Sequence, residues 1–212
     1  MNQAPHKLDL LYWFFGLPET VQANIRVLHH AIEVEDVATL FLRYREGFSL
    51  RYYSTTWDAP GLALLYVAGE NGTVTFSEAG VTHVSYPQSI LAYSRMSSEI
   101  APPPPGETIV LPRQRLPISS QYVIGQNFVD AIRNPGGKVM VTGEESTGSL
   151  LMANAAVVSH FENREIRMDD YNPEAFDRLL DELIQGKRNL QLEPEKPGSP
   201  SRGSRTFQNQ RQ

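Results

Sequence analysis

The sequence predicts an α+β fold: an open, mainly antiparallel β-sheet with helices packed on one face. Three observations carry this expectation. An amphipathic helical stripe opens the chain, a series of short β-rich runs separated by turn residues follows, and the second half has helical periodicity. The opening stripe is Leu8, Leu11, Tyr12 and Phe15, spaced i, i+3, i+4, i+7, with Gly16 and Pro18 ending it. Trp13 and Phe14 are expected to pack. The runs at 36–44 and 48–56 are rich in β-branched and aromatic residues and flank Arg45-Glu46-Gly47, which reads as a hairpin turn. Residues 63–69, 73–76 and 81–86 continue an antiparallel meander through turns at Glu70-Asn71-Gly72 and 77–80.

The middle breaks this pattern. Pro102 to Pro105 cannot join a sheet interior, so 87–118 is expected to hold a surface loop around 101–106, with a short strand at 109–111. Residues 120–133 place Ile124, Phe128 and Ile132 at fourfold spacing on a helix that ends at Asn134-Pro135-Gly136-Gly137. Residues 138–142 are expected to be extended. Thr142 with Glu145 predicts a capping box for a helix over 144–161, whose many small residues invite close packing. A short strand at 166–168 precedes a last helix with Asn172 as its cap, Pro173 at its first position and Phe176, Leu179, Leu180, Leu183 and Ile184 as its buried stripe. The expected organisation is one domain over 1–192. A disordered tail is expected over 193–212, where Pro, Gly, Ser, Gln and charge dominate.

Composition narrows the function classes. The chain has 212 residues, 41% hydrophobic and 20% charged, which is ordinary globular composition. It has no cysteine, so disulfides, thiolate metal sites and a cysteine nucleophile are excluded. A net charge of −5 without a basic stripe makes nucleic acid a poor partner. No apolar run approaches the ~20 residues of a membrane helix. The first sixteen residues lack the basic region and cleavage site of a signal peptide, so they read as a structural helix and a cytoplasmic protein is expected.

Nucleotide motifs are missing: there is no G-x-G-x-x-G, no phosphate-loop signature and no alternating βαβ pattern. Residues 143–148 (GEESTG) miss a nucleophile elbow by one residue and read better as a helix start. His29 and His30 are sequence neighbours, which in an extended segment point to opposite sides and make a poor metal pair. His83 and His160 are isolated, and a satisfied or exposed histidine is the commoner case for each. His6 has a different setting. It opens a helix inside the polar run Asn2-Gln3-Ala4-Pro5-His6-Lys7, where free backbone amides and the positive dipole end suit a polar or anionic ligand. Imidazole can shuttle a proton near neutral pH, and Asp9 lies three residues on, where it could orient the ring.

Residues 2–16 (NQAPHKLDLLYWFFG) resemble the segment of the glucose–fructose oxidoreductase / inositol dehydrogenase / MocA family in which a catalytic histidine opens a helix. The family commonly has an aspartate four residues before that histidine; here the position holds Asn2, which reads as a subfamily variant. The resemblance continues through 32–38, 54–57, 67–73, 127–132, 142–150 and 163–165, in order, and covers about 2–192. It implies the C-terminal, substrate-binding and oligomerisation half of an NAD(P)-dependent dehydrogenase of sugars or polyols. His6 would be the catalytic base, and Asn2 and Asp9 the substrate-binding residues. The family's nucleotide-binding half and its E-K-P lysine have no counterpart in the sequence. Glu195-Lys196-Pro197 is a chance match in the tail, so no cofactor is expected to bind this chain, and alone it would be inactive. The start at Met1 would then fall inside a longer ancestral gene. The alternative is a stand-alone sugar-binding or protein-interaction module. The resemblance also implies homo-oligomerisation through the open sheet face, where Arg43, Arg51 and Tyr53 could meet a partner or substrate.

Overall fold

The structure is a computed structural model that describes residues 4–30, 32–59, 61, 63–96, 106–114 and 117–190. Its chain divides into two compact units, the first from Met1–Ala59 with Val141–Gln212 and the second from Pro60–Met140. Each carries one antiparallel four-stranded sheet, and the α+β class is as expected. The expected tail at 193–212 and residues 101–105 of the proline-rich loop lie outside the described residues.

In the first unit the sheet order is β3-β2-β1, then a short fourth strand, β8. The strands are β1 (Thr20–Arg26), β2 (Val37–Arg43), β3 (Ser49–Thr55) and β8 (Ile166–Arg167). Strand β1 was not expected from the sequence. Its central position makes both edges structural, and its register with β2 pairs Val21 with Leu42, Ala23 with Leu40 and Ile25 with Ala38. These residues point to the helical side, and all except the half-buried Ala23 are buried. The intervening residues Gln22, Asn24, Phe41, Arg51 and Tyr53 form an outer face open to solvent.

Helix α4 (Gly143–Glu162) lies along β1. Its capping box is present in full: the Glu145 N–H donates to Thr142 Oγ1 at 3.1 Å, and the Thr142 N–H donates to Glu145 Oε2 at 2.8 Å. Met152, Ala155, Ala156 and Val158 are buried, and the small residues let helix and strand backbones approach closely. Because β8 pairs with β1 only at Thr20 and Val21, the rest of that edge needs other partners. Helix α4 supplies them. The Ala23 N–H donates to Ser159 Oγ at 3.0 Å and the Ile25 N–H to His160 Nδ1 at 3.3 Å. Ser159 in turn donates to the Arg164 carbonyl at 2.7 Å, and Asn163 closes the helix in the left-handed region at φ 52°.

A buried carboxylate closes the opposite end of the sheet. Asp36 is 2% exposed and accepts the N–H groups of Leu28 (2.7 Å), His29 (2.7 Å) and His30 (2.9 Å), with His30 Nδ1 at 3.3 Å. Its own N–H donates to the Arg26 carbonyl at 3.1 Å, and its carbonyl accepts from the Thr56 N–H at 3.0 Å. One residue therefore joins the ends of β1, β2 and β3.

Helix α5 (Glu174–Ile184) packs on α4 after a 3-10 turn at Met168–Asp170. Asn172 serves as expected, its Oδ1 accepting from the Glu174 N–H at 3.0 Å. The expected buried stripe holds at Leu179 (6% exposed), but Leu180 and Ile184 are exposed on the side of α5 turned away from α4.

The second unit is a meander ordered β4-β5-β6-β7: β4 (Leu65–Gly69), β5 (Gly72–Ser77), β6 (Gly80–Ser85) and β7 (Glu107–Pro112). It also holds α2 (Ile90–Met96), which the sequence analysis missed, and α3 (Ser120–Arg133). No strand forms over 138–142. None of this unit's described residues is fully buried, and the fourfold stripe of α3 faces solvent at Ile124, Phe128 and Ile132.

Two titrating groups make the first unit acid-sensitive. Burial alone raises the Asp36 pKa, but the backbone donors of residues 28–30 and the His30 ring hold it below the ordinary 3.8. Burial holds the His160 pKa below its ordinary 6.5. In both cases the unfolded chain binds the proton more readily, so folding stability falls as pH falls. The His160 contribution is complete above pH 6.5 and is lost on going down through its lowered value; the Asp36 contribution is lost below 3.8. Urea unfolding against pH is expected to show both losses. Asp36→Asn should lower stability at pH 7 by about 1–3 kcal/mol and flatten the more acidic limb.

Candidate functional site

Helix α1 (Ala4–Phe15) presents the sequence-predicted residues. Its inner face is fixed by burial of Leu8 (0% exposed) and Leu11 (4%). Phe15 sits against Tyr44 and Phe48, with ring centroids 6.0 and 5.5 Å away. Gly16 ends the helix with φ +71° and its N–H donates to the Tyr12 carbonyl at 2.8 Å, as the sequence predicted. The contact that seats α1 on α4 is between Tyr12 and Gly148. A Cβ built on Gly148 would lie 2.5 Å from the Tyr12 ring, so only glycine admits the ring there.

With the inner face locked, His6 and Asp9 stand one turn apart on exposed positions. His6 lies in the first turn, where backbone amides have no partner within the helix. Asn2 lies outside the described residues. The structure therefore brings together two of the three candidates. Trp13, expected to pack, is 76% exposed instead. It falls seven residues after His6, on the same side of the helix, and its ring meets Phe14 (centroids 5.0 Å). Trp13 lies off the Leu8, Leu11, Tyr12 and Phe15 stripe, and that spacing was the signal that it faces outward.

The other end of α1 borders an open depression of about 320 Å³ lined by Leu17, Pro18, Arg45, Glu46, Met168 and Asp169. It does not include His6. An ion pair between Arg45 and Asp169 crosses it, and Arg43–Glu165 (3.0 Å) and Arg167–Glu19 (3.5 Å) tie β8 to its neighbours. These pairs are exposed and hold local geometry more than they stabilise the fold. Among the described residues no group of three or more His, Asp or Glu side chains could hold a metal ion. No helix among them is long and apolar enough to cross a membrane.

The described residues form no Rossmann-type dinucleotide seat. Every strand pairing is antiparallel, and no glycine-rich turn leads from a strand into a helix N-terminus.

Residues 1–75 match the sequence profile of the GFO/IDH/MocA C-terminal domain. The matched segment contains α1, His6, Asp9 and the sheet from β1 to β3. Solved oxidoreductases share the fold. The WlbA dehydrogenase of Bordetella pertussis, solved with NADH and UDP-GlcNAcA, is 23% identical with a TM-score of 0.55, over 79% of this chain and 44% of its own. The WlbA dehydrogenase of Chromobacterium violaceum, with the same ligands, is 24% identical with a TM-score of 0.57, over 78% and 44%. An oxidoreductase of Agrobacterium radiobacter in complex with NAD+, L-tartaric acid and magnesium is 18% identical with a TM-score of 0.58, over 79% and 48%. At these identities the likeness is one of fold, and the chain spans about half the length of these proteins. No curated protein is similar enough in sequence to match.

The seat of α1 can be tested directly. Gly148→Ala is expected to push the Tyr12 ring aside and destabilise the chain by about 1–3 kcal/mol in urea unfolding. Tyr12→Leu in the same background should recover part of the loss by making room for the new methyl group.

Proposed function

We propose that this chain is the substrate-side half of an NAD(P)-dependent oxidoreductase acting on a sugar or polyol. The observation that carries the reading is the placement of His6. It is exposed in the first turn of a helix whose other face is locked into the core, within the segment that matches the family profile. In this role His6 takes the proton of a substrate hydroxyl during oxidation, and Asp9, one turn on, holds the imidazole or a second hydroxyl. Asn2 is proposed as a further substrate contact. The nicotinamide would supply the hydride acceptor from outside the described residues. The ligands of the solved relatives, a sugar-nucleotide uronate and a dicarboxylic hydroxy acid, favour a polyhydroxylated substrate.

The open face of the first sheet is proposed as a homo-oligomer interface. Strands β1, β2 and β3 contain no lysine or carboxylate, and the face exposes Phe41 (44%) and Tyr53 (57%), with the Arg51 guanidinium 5.1 Å over the Phe41 ring. Aromatic residues and arginine without lysine or glutamate are the composition of interface cores. A second reading is a sugar-binding module without redox activity, in line with the lack of a Rossmann-type seat among the described residues.

Calorimetry separates the two. The purified chain is expected to bind neither NADH nor NADPH tightly; tight binding would overturn the division of labour proposed here. Fused behind the nucleotide-binding half of a WlbA dehydrogenase, it should turn over a sugar substrate, and His6→Ala should lower kcat by about 10²–10⁴-fold. Sugar binding with no turnover in the fusion would favour the module. Phe41→Asp is expected to shift the sedimentation coefficient toward the monomer while leaving the circular dichroism spectrum unchanged.

A further inference from the structure

His29 and His30, which an extended segment would point apart, instead converge on one ring. The bend at 28–30 that Asp36 holds turns both imidazoles onto Trp57. His29 stacks on the indole with centroids 4.0 Å apart and planes 16° from parallel, and His30 meets it edge-on at 5.9 Å and 69°. Trp57 is fixed from its backbone as well: its N–H donates to Thr55 Oγ1 at 3.1 Å, and the preceding N–H, of Thr56, donates to the Asp36 carbonyl at 3.0 Å. Yet the residue is 57% exposed. An indole backed on one face by an imidazole has its exposure on the other face and the rim. Burial does not explain why so large an apolar ring is held so firmly at the surface.

We propose that Trp57, backed by His29 and flanked by His30, is a subsite on which a pyranose ring stacks. A rigid apolar face suits the C–H side of a sugar ring, and polar groups at its border suit the hydroxyls. His30 is placed for this. Its Nδ1 faces the Asp36 carboxylate, which accepts, so Nδ1 donates; in the neutral ring Nε2 is then an acceptor for a hydroxyl. His30 keeps 41% of its side chain exposed, so that nitrogen is within reach of solvent. The choice of a sugar as ligand rests on the substrate-side reading above; the platform rests on the ring geometry alone.

The chain has two tryptophans, so Trp13→Phe leaves Trp57 as the sole indole reporter. This variant would be titrated with methyl glucoside, UDP-GlcNAcA and uridine monophosphate, following emission and heat. The expected result is a saturable emission change with both sugar-containing ligands and none with uridine monophosphate. Trp57→Ala in the otherwise native chain should weaken sugar binding about tenfold or more, His29→Ala should weaken it less, and Trp57→Phe should retain most of it. A circular dichroism spectrum and urea midpoint like those of the parent confirm that each variant folds. Sugar binding seen by heat with no change in emission, or left intact in Trp57→Ala, would overturn the subsite and leave the substrate-side reading standing. A response to uridine monophosphate alone would make the platform a nucleobase seat and overturn it also. Absence of sugar binding by either readout would overturn the subsite; if the fusion protein then shows neither sugar binding nor turnover, the substrate-side reading falls with it.

Discussion

The close approach of α4 to β1 is the constraint on which the first unit depends. Two side chains near the helix's end, Ser159 and His160, accept the strand amides that no neighbouring strand reaches. Eleven residues earlier, Gly148 leaves room for the Tyr12 ring and so sets where α1 lies. The alanines between keep the helix low on the sheet, and each fully buried aliphatic side chain in that layer contributes roughly 1.5–3 kcal/mol. The candidate catalytic histidine is thus positioned by contacts on the far side of its own helix. Its orientation depends on packing that never touches a ligand.

The two units differ in how they are held. The first has a continuous apolar layer and a buried carboxylate with a full set of donors. The second is a meander joined by backbone ladders, with every described residue half-buried or exposed. A sheet with both faces this open gains little from apolar burial and relies on its hydrogen-bond ladders.

Much of this was legible in the sequence, and the exceptions have physical causes. Alternation and turn residues gave β2 to β6 within a residue or two, because Arg45-Glu46-Gly47 and Asn71-Gly72 mark their hairpins clearly. The capping box at Thr142 fixed the start of α4. Strand β1 escaped notice because TVQANIR has few large apolar residues, its inner face being completed by Ala23 against a helix rather than by bulk. Helix α2 is a short run beside a proline-rich segment and lacks a periodic stripe. At the candidate site His6 and Asp9 were readable from spacing and resemblance. The meeting of His29, His30 and Trp57 was not, since it follows from where Asp36 holds the backbone; the exposure of Trp13 was readable from its place off the helix stripe.

The side chains that close the β1 edge have one more consequence. Unpaired strand amides are adhesive, and chains that leave them open recruit strands from their neighbours. Here the guard is a hydroxyl and a neutral imidazole, and the imidazole gives up its acceptor when it gains a proton. The Ile25 amide would then be left without that partner inside the protein, a cost that falls first on this end of the sheet. The same histidine that completes the sheet thus ties this end of the β1 edge to pH.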